Sequence, residues 1–230
     1  MLAHPDFPTR LSEGYRAFLG DRFISEKSRY EELAAAGQQP EIMIVGCCDS
    51  RVSPEVIFDA RPGEMFVVRN VANLVPPYAP DGKHHSASAA LEFAVQALRV
   101  KHIVVLGHGR CGGVQAFADQ DSQPLSPGDF IGKWMQMLNP AAEKLGPRRA
   151  GEVLPLYVER LALASIENSI ANLLTFPCVR ILHERGKLKL HGAYFAVATG
   201  VLMIRDPDGA FRPAVADMPE RVSPIRCVGE

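Results

Sequence analysis

Apolar residues recur at Leu11, Tyr15, Phe18 and Leu19, the spacing of one helix face. Ser25 is placed to cap a second helix carrying Tyr30, Leu33 and Ala34, which Gly37 ends ahead of Pro40. Such a helix pair packs either on its own core or on another molecule, and the pattern leaves both open. Periodicity then changes. Ile42-Met43-Ile44-Val45, Met65-Phe66-Val67-Val68 and His102-Ile103-Val104-Val105-Leu106 are short continuous apolar runs, the first and third followed by Gly46 and Gly107. Runs apolar on both faces predict buried parallel strands. Between the second and third, Ala90, Leu91, Ala94, Val95 and Leu98 predict a helix from Ser86 to Arg99. Strand, helix, strand is a right-handed crossover.

Farther along, residues 120–132 and 146–155 are rich in turn formers and read as surface loops. Leu163, Ile166, Ile170, Leu173 and Leu174 predict a helix over 156–174, broken by Phe176-Pro177. Residues 190–204 read as two strands about a Thr199-Gly200 turn. No linker divides the chain. The expectation is one α/β domain over 1–230: a helical arm (1–37), a core (38–205) and a Pro-rich C-terminal extension (206–230).

Composition narrows the classes. The 230 residues are 47% hydrophobic and 22% charged, with a formal net charge of -1. That composition is globular, and the charge balance argues against nucleic acid or an anionic membrane as partner. No apolar run nears the roughly 18 residues of a membrane span. The first residues lack the basic-then-apolar pattern of an export signal, so the expectation is a cytoplasmic protein. Five cysteines are then read as metal ligands, catalytic groups or packing residues rather than a disulfide framework.

Two of the predicted strands lead into loops carrying candidate chemistry. One follows the first strand as Cys47-Cys48-Asp49-Ser50-Arg51; the other follows the third as His108-Gly109-Arg110-Cys111-Gly112-Gly113. Sites in parallel sheets form beyond the carboxyl ends of strands, so these loops can converge. Cys47, His108 and Cys111 offer thiolate and imidazole donors suited to zinc, with the flanking glycines permitting a sharp bend. A fourth position is either filled, by Asp49 or less readily by Cys48, or kept for water. Two thiolates cancel the charge of a dication, so a working site benefits from a nearby acceptor. Asp49 paired with Arg51 fits, the guanidinium keeping the carboxylate ionised and aimed. Taken singly, each loop also reads as a capped turn or a buried thiol. Cys178 and Cys227 read as packing residues and Cys48 as a small buried or half-buried thiol. His84-His85 reads as a solvated loop; His102, His183 and His191 show no partner. The glycines match neither a P-loop nor a dinucleotide fingerprint.

Taken in order, Cys47-Cys48-Asp49-Ser50-Arg51, Pro62-Gly63-Glu64, Val68-Arg69-Asn70-Val71-Ala72-Asn73 and Gly107-His108-Gly109-Arg110-Cys111-Gly112-Gly113 resemble the β-class carbonic anhydrases. The match is close from about Gln38 to Gly113 and weaker to Val201. The resemblance implies one Zn²⁺ per chain on Cys47, His108 and Cys111. It implies reversible hydration of CO₂ to bicarbonate and a proton, with zinc hydroxide as nucleophile oriented by an Asp49–Arg51 dyad. It also implies a sheet of four parallel strands plus an antiparallel edge strand, flanked by helices. It further implies a homodimer or higher even oligomer, with the site at the dimer interface and residues 1–37 lying across a neighbour. Within the family, Gln38 matches the substrate-binding glutamine of plant-like members. Phe66, Val71 and Phe93 match their apolar CO₂ pocket, Phe93 standing where Tyr is frequent, and Gly112 joins the substrate contacts. Ile44 stands where a bicarbonate-regulated subgroup has Trp, which implies that Asp49 does not displace water from the metal.

Two competing readings remain from the residues. One keeps the metal and uses another linear substrate such as carbonyl sulfide or carbon disulfide. The other is a non-enzymatic zinc-stabilised protein whose fourth ligand is Asp49. Cobalt or iron also suits such a donor set.

Overall fold

The computed structural model describes residues 6–82, 85–119 and 122–215. By compactness the chain divides into two units, Met1–Gln39 and Pro40–Glu230. The first holds helices α1 (Thr9–Gly20) and α2 (Arg22–Ala36). Phe18, Phe23 and Tyr30 form an aromatic cluster joining them, with ring centroids 5.5–6.1 Å apart. Neither helix has a buried residue. Ser25 does not cap α2. The helix starts three residues earlier, and the Ser25 hydroxyl instead donates to the carbonyl of Arg22 within the first turn. Gly37 ends α2 as expected, at φ 79°, a conformation that favours glycine.

The second unit is built on a six-stranded sheet. Its strands are β1 (Ile42–Cys47), β2 (Met65–Asn70), β3 (His102–His108), β4 (Lys189–Ala196), β5 (Val201–Arg205) and β6 (Phe211–Pro213), in the spatial order β2-β1-β3-β4-β5-β6. The first four strands in that order are parallel; β5 and β6 are antiparallel. The mainly parallel α/β sheet is thus the expected one. The three-residue β6 adds an edge that the sequence pattern does not announce. Gly200, at φ 72°, makes the turn between β4 and β5, its N–H bonding to the Ala196 carbonyl.

Between the strands run α3 (Pro54–Ile57), α4 (Ser86–Glu92), α5 (Gly112–Ala118), α6 (Phe130–Met135), α7 (Asn139–Leu145), α8 (Leu154–Leu173) and α9 (Pro177–Glu184). Two boundaries move from expectation. The loop over 120–132 gives way to α6 at Phe130, because the Asp129 carboxylate accepts from the Gly132 N–H and caps that helix. Helix α4 passes into a π-helical stretch, Phe93–Leu98, and stops at Arg99 in the left-handed region.

Helix α8 explains how the main core closes. Val158, Leu161, Ala162, Ser165, Ile166, Ser169 and Leu173 are buried at helical spacing, and the apolar five join Met43, Val45, Ile103 and Val105 of the sheet in one cluster. Each Leu or Ile so buried contributes about 1.5–3 kcal/mol. The opposite sheet face carries a smaller cluster of Ile44, Leu106 and Ala193.

Candidate metal centre

Strands β1 and β3 are neighbours, and each runs one residue beyond its glycine, so Cys47 and His108 are strand-terminal residues at one end of the sheet. Gly46 and Gly107 lie inside strands rather than at their ends, and Gly107 is a clearance position. A Cβ on Gly107 would stand 2.7 Å from Cδ1 of Ile166. Cys111 directly precedes α5. The bend that returns the chain from His108 to Cys111 is made by Arg110, at φ 55°. This corrects the expectation that the surrounding glycines supply it: Gly107, Gly109, Gly112 and Gly113 all lie outside the left-handed region. Gly109 and Gly113 are needed for close approach instead, to the Tyr194 hydroxyl (3.1 Å from a built Cβ) and to Val71 (2.7 Å).

Among the described residues, Cys47, His108 and Cys111 form the one group suited to a metal, with donor atoms all within 4.8 Å of one another and all three residues buried. The two sulfurs are 4.0 Å apart. Zinc–sulfur bonds of about 2.3 Å at a tetrahedral angle put two thiolates roughly 3.8 Å apart, so the pair needs almost no adjustment. His108 is 1% exposed, and its Nε2 has no hydrogen-bond partner. Its Nδ1 lies 3.0 Å from the Gly109 carbonyl, which can only accept, so Nδ1 carries the proton and Nε2 presents a lone pair. A buried, unpartnered lone pair beside two thiols is the donor set of a zinc site.

The sulfurs are prepared for a cation. The Cys47 thiol is drawn well below its ordinary pKa by a hydrogen bond from Cys111, against the opposing effect of burial. The Ala72 N–H, 3.3 Å from Cys47 Sγ, assists. The same sulfur–sulfur contact, with burial, pushes the Cys111 thiol up. The contact therefore favours one thiolate beside one thiol, and a metal ion held here would take the place of the remaining proton.

Asp49 stands beside the group, Oδ2 4.0 Å from His108 Nε2. Arg51 grips it in a fork: Nε donates to Oδ1 (2.9 Å) and NH2 to Oδ2 (2.7 Å), while the Arg51 backbone N–H adds a third bond to Oδ1 (3.0 Å). These bonds hold the carboxyl far below the usual carboxylate range. Arg51 also donates to the carbonyl of Arg110, tying the Cys111 loop to the Asp49 loop (3.0 Å). One residue of the quoted motifs has a role that local pattern does not reveal. Arg69, at the end of β2, donates to the carbonyls of both Cys47 and Asp49, each at 2.7 Å. The only signal for it in sequence is a cation closing an otherwise apolar strand.

The remaining expected residues are dispersed. Phe66 and Phe93 meet as a tilted ring pair, 5.8 Å between centroids and 39° between planes, both incompletely buried, Phe93 at 48% exposure. Val71 begins a single 3₁₀ turn, Val71–Asn73, directly after β2. Gly112 opens α5 with nothing within 4 Å of a built Cβ. Gln38 is exposed and belongs to the first unit. Cys48 is exposed rather than buried. Its N–H continues the ladder to the Asn70 carbonyl (3.0 Å), and alternation turns its side chain away from that of Cys47. Cys178 packs against the core; Cys227 lies outside the described residues. His85 pairs with Asp81 (2.6 Å), while His84 lies outside the described residues. His102 and His191, without a partner signal in sequence, are partners of each other, Nδ1 to Nε2 at 3.0 Å. No helix among the described residues is long and apolar enough to cross a membrane.

Known proteins resemble this chain along most of its length. A family model described as carbonic anhydrase matches residues 42–202. The chain is 35% identical over 192 residues to the mitochondrial β-carbonic anhydrase 6 of Arabidopsis thaliana, covering 83% of this chain and 64% of that protein. It is 32% identical to β-carbonic anhydrase 3 of the same plant, covering 92% and 81%. The chain therefore spans a little under two thirds of the first relative's length. Among solved structures, the β-carbonic anhydrase CcaA superposes with TM-score 0.82 at 28% identity, covering 90% of this chain and 92% of that one. A β-carbonic anhydrase of Sordaria macrospora, described as tetrameric, superposes with TM-score 0.71 at 32% identity, covering 85% and 94%.

Proposed function

Because the chain belongs to the β-class carbonic anhydrase family, we propose that it catalyses the zinc-dependent, reversible hydration of carbon dioxide to bicarbonate and a proton. The observation that carries this reading is the buried Cys47, His108 and Cys111 donor set with an Arg-locked carboxylate 4.0 Å from its imidazole nitrogen. Those three residues would hold one zinc per chain. When bound, zinc would acidify a water and supply the nucleophile for carbon dioxide.

The chain's own residues do the rest. Asp49 Oδ2 accepts one bond from Arg51 and keeps capacity for another, so it would accept a hydrogen bond from the O–H of the nucleophile and set its direction. Arg51 keeps that carboxylate ionised and occupies both its oxygens. This favours an acceptor role for Asp49 over service as a fourth ligand, and so a working site over a closed one. Phe66, Val71 and Phe93 offer apolar surface suited to uncharged carbon dioxide. The missing side chain at Gly112 leaves room beside Cys111. Gln38, as in the plant-like members, donates its amide to a substrate oxygen. Ile44 in place of Trp accords with that subgroup.

The active form is a homodimer or higher even oligomer with the site at the subunit interface. Two observations support this: β2, which carries Phe66 and Arg69, is an edge strand with every residue only partly covered, and α1 and α2 bury none of their residues. Tetramers are described for the Sordaria relative.

Metal analysis and stopped-flow hydration of carbon dioxide on the full chain test the proposal. One zinc per chain, loss of activity on chelation and recovery with zinc are expected. Cys47→Ser that keeps full zinc and full activity overturns it.

A further inference from the structure

The chain has one tryptophan, Trp134 in α6, 87 residues beyond Cys47. Its indole Nε1–H donates to the carbonyl of Val71 at 2.8 Å. The N–H of Ala72, which belongs to the same peptide group, donates to Cys47 Sγ at 3.3 Å. One peptide thus links the indole to a metal-ligand sulfur: Nε1–H to O=C of Val71, N–H of Ala72 to sulfur.

The local backbone is set to make this link. Ala72 and Asn73 sit at φ 65° and 48°, left-handed values that Ala avoids and Asn tolerates. Their turn is clamped at both ends by Asn70, whose Nδ2 donates to the Leu74 carbonyl (2.9 Å) and whose Oδ1 accepts from the Leu74 N–H (2.8 Å). Strain held in place at a site is an expense the fold sustains for position. From behind, Val71 meets Gly113, whose lack of a Cβ permits the contact, and Met135 beside Trp134 closes on the same glycine.

We propose that Trp134 is a positioning residue for the metal centre, acting on the Cys47 thiolate through the Val71–Ala72 peptide. The inference rests on the metal-site reading above. A hydrogen bond accepted by the Val71 oxygen polarises the peptide and makes the Ala72 N–H a stronger donor. That donor draws electron density from the sulfur. In a site where two thiolates offset the charge of a dication, each such bond leaves the ion more electropositive. The link also fixes the direction of the Cys47 side chain.

The test uses the full chain with cobalt(II) as the metal probe, and three forms: unaltered, Trp134→Phe, and Trp134 replaced by β-(3-benzothienyl)alanine. The last keeps the bicyclic shape and removes only the N–H. With one tryptophan in the sequence, biosynthetic replacement touches no other residue. Removing the donor makes the thiolate more electron-rich. The thiolate-to-cobalt charge-transfer band then moves to longer wavelength in both altered forms, the pH profile of the zinc-loaded enzyme moves upward, and activity falls about 10-fold. An unshifted band in the folded benzothienyl form overturns the proposal while leaving the metal site intact. Absence of the band from the unaltered protein overturns both. Trp134→Phe alone shifting the band marks a packing effect and also overturns the hydrogen-bond link.

Discussion

Arg69 donates from Nε to the carbonyl oxygen of Cys47, 2.7 Å away, so a guanidinium at the end of β2 holds the backbone of a candidate metal ligand on β1. Its second nitrogen holds Asp49 in the same way. A Lys at this position keeps the charge and loses the fork. Arg69→Lys should therefore weaken zinc binding and lower activity, each by about 10- to 100-fold, as loss of outer contacts to a metal site does. Competition against a chromophoric zinc chelator checks the first and stopped-flow hydration the second. Equal affinity in the variant and the parent would remove Arg69 from the site's support.

The Arg51 fork gives Asp49 a depressed pKa, with a consequence for pH. A carboxylate held below its ordinary value is ionised from alkaline pH down past that value. No protonation of Asp49 should then limit kcat/KM above about pH 5, where an ordinary Asp near 3.9 is already mostly ionised. Arg51→Gln should let the carboxyl rise toward its ordinary value near 3.9, bringing an acid limb to about pH 4 that the parent lacks there. Asp49→Asn should keep its zinc and lose about 10²- to 10⁴-fold in rate, the scale of a lost proton acceptor. A pH series of kcat/KM with zinc content measured on the same samples decides both.

Gly107 is crowded by the helix that covers the sheet. A Cβ there meets Ile166 at 2.7 Å and 3.0 Å, and Ile166 is fully buried. Gly107→Ala should cost about 1–3 kcal/mol in urea unfolding, an overpacking penalty. Ile166→Val in the same chain should recover part of it, a coupling that a double-mutant cycle reads directly.

His102 and His191 carry a pH effect remote from the metal. Burial lowers the His191 pKa, and the charges of His102 and Lys189 add to it. The unfolded chain then holds more protons than the folded one between the ordinary value near 6.5 and the lower folded value. Stability from this pair is complete above that window and is lost as pH falls through it. His191→Gln should flatten the decline between about pH 7.5 and 5. Denaturant midpoints for both proteins across that range check it, and parallel curves would exclude the pair as a source.

The hydrophobic runs located the strands to within a residue or two, because a strand buried on both faces writes its position as a short apolar block. Motif order placed Cys47, His108 and Cys111 together, since their separation depends on strand ends that a parallel sheet aligns. Gly46 and Gly107 misled in one respect. Each closes an apolar run, yet its strand continues one residue further, and Gly107 is a gap for Ile166, which depends on what packs above it. The turn-forming glycines misled in another, as the bend before Cys111 falls on Arg110, held by Arg51 across the loop.

The candidate donors, the positions of β1 to β5 and the mainly parallel α/β class were therefore legible in sequence alone, since each follows from local residue type and period, whereas the three-residue β6 was not. Tertiary structure decided what reaches across the chain. It brought Trp134 to Val71, Arg69 to Cys47 and His191 to His102, and it turned Cys48 outward. These contacts join residues 22 to 89 positions apart. No periodicity within one element encodes a partner that arrives only when sheet order and helix packing are set.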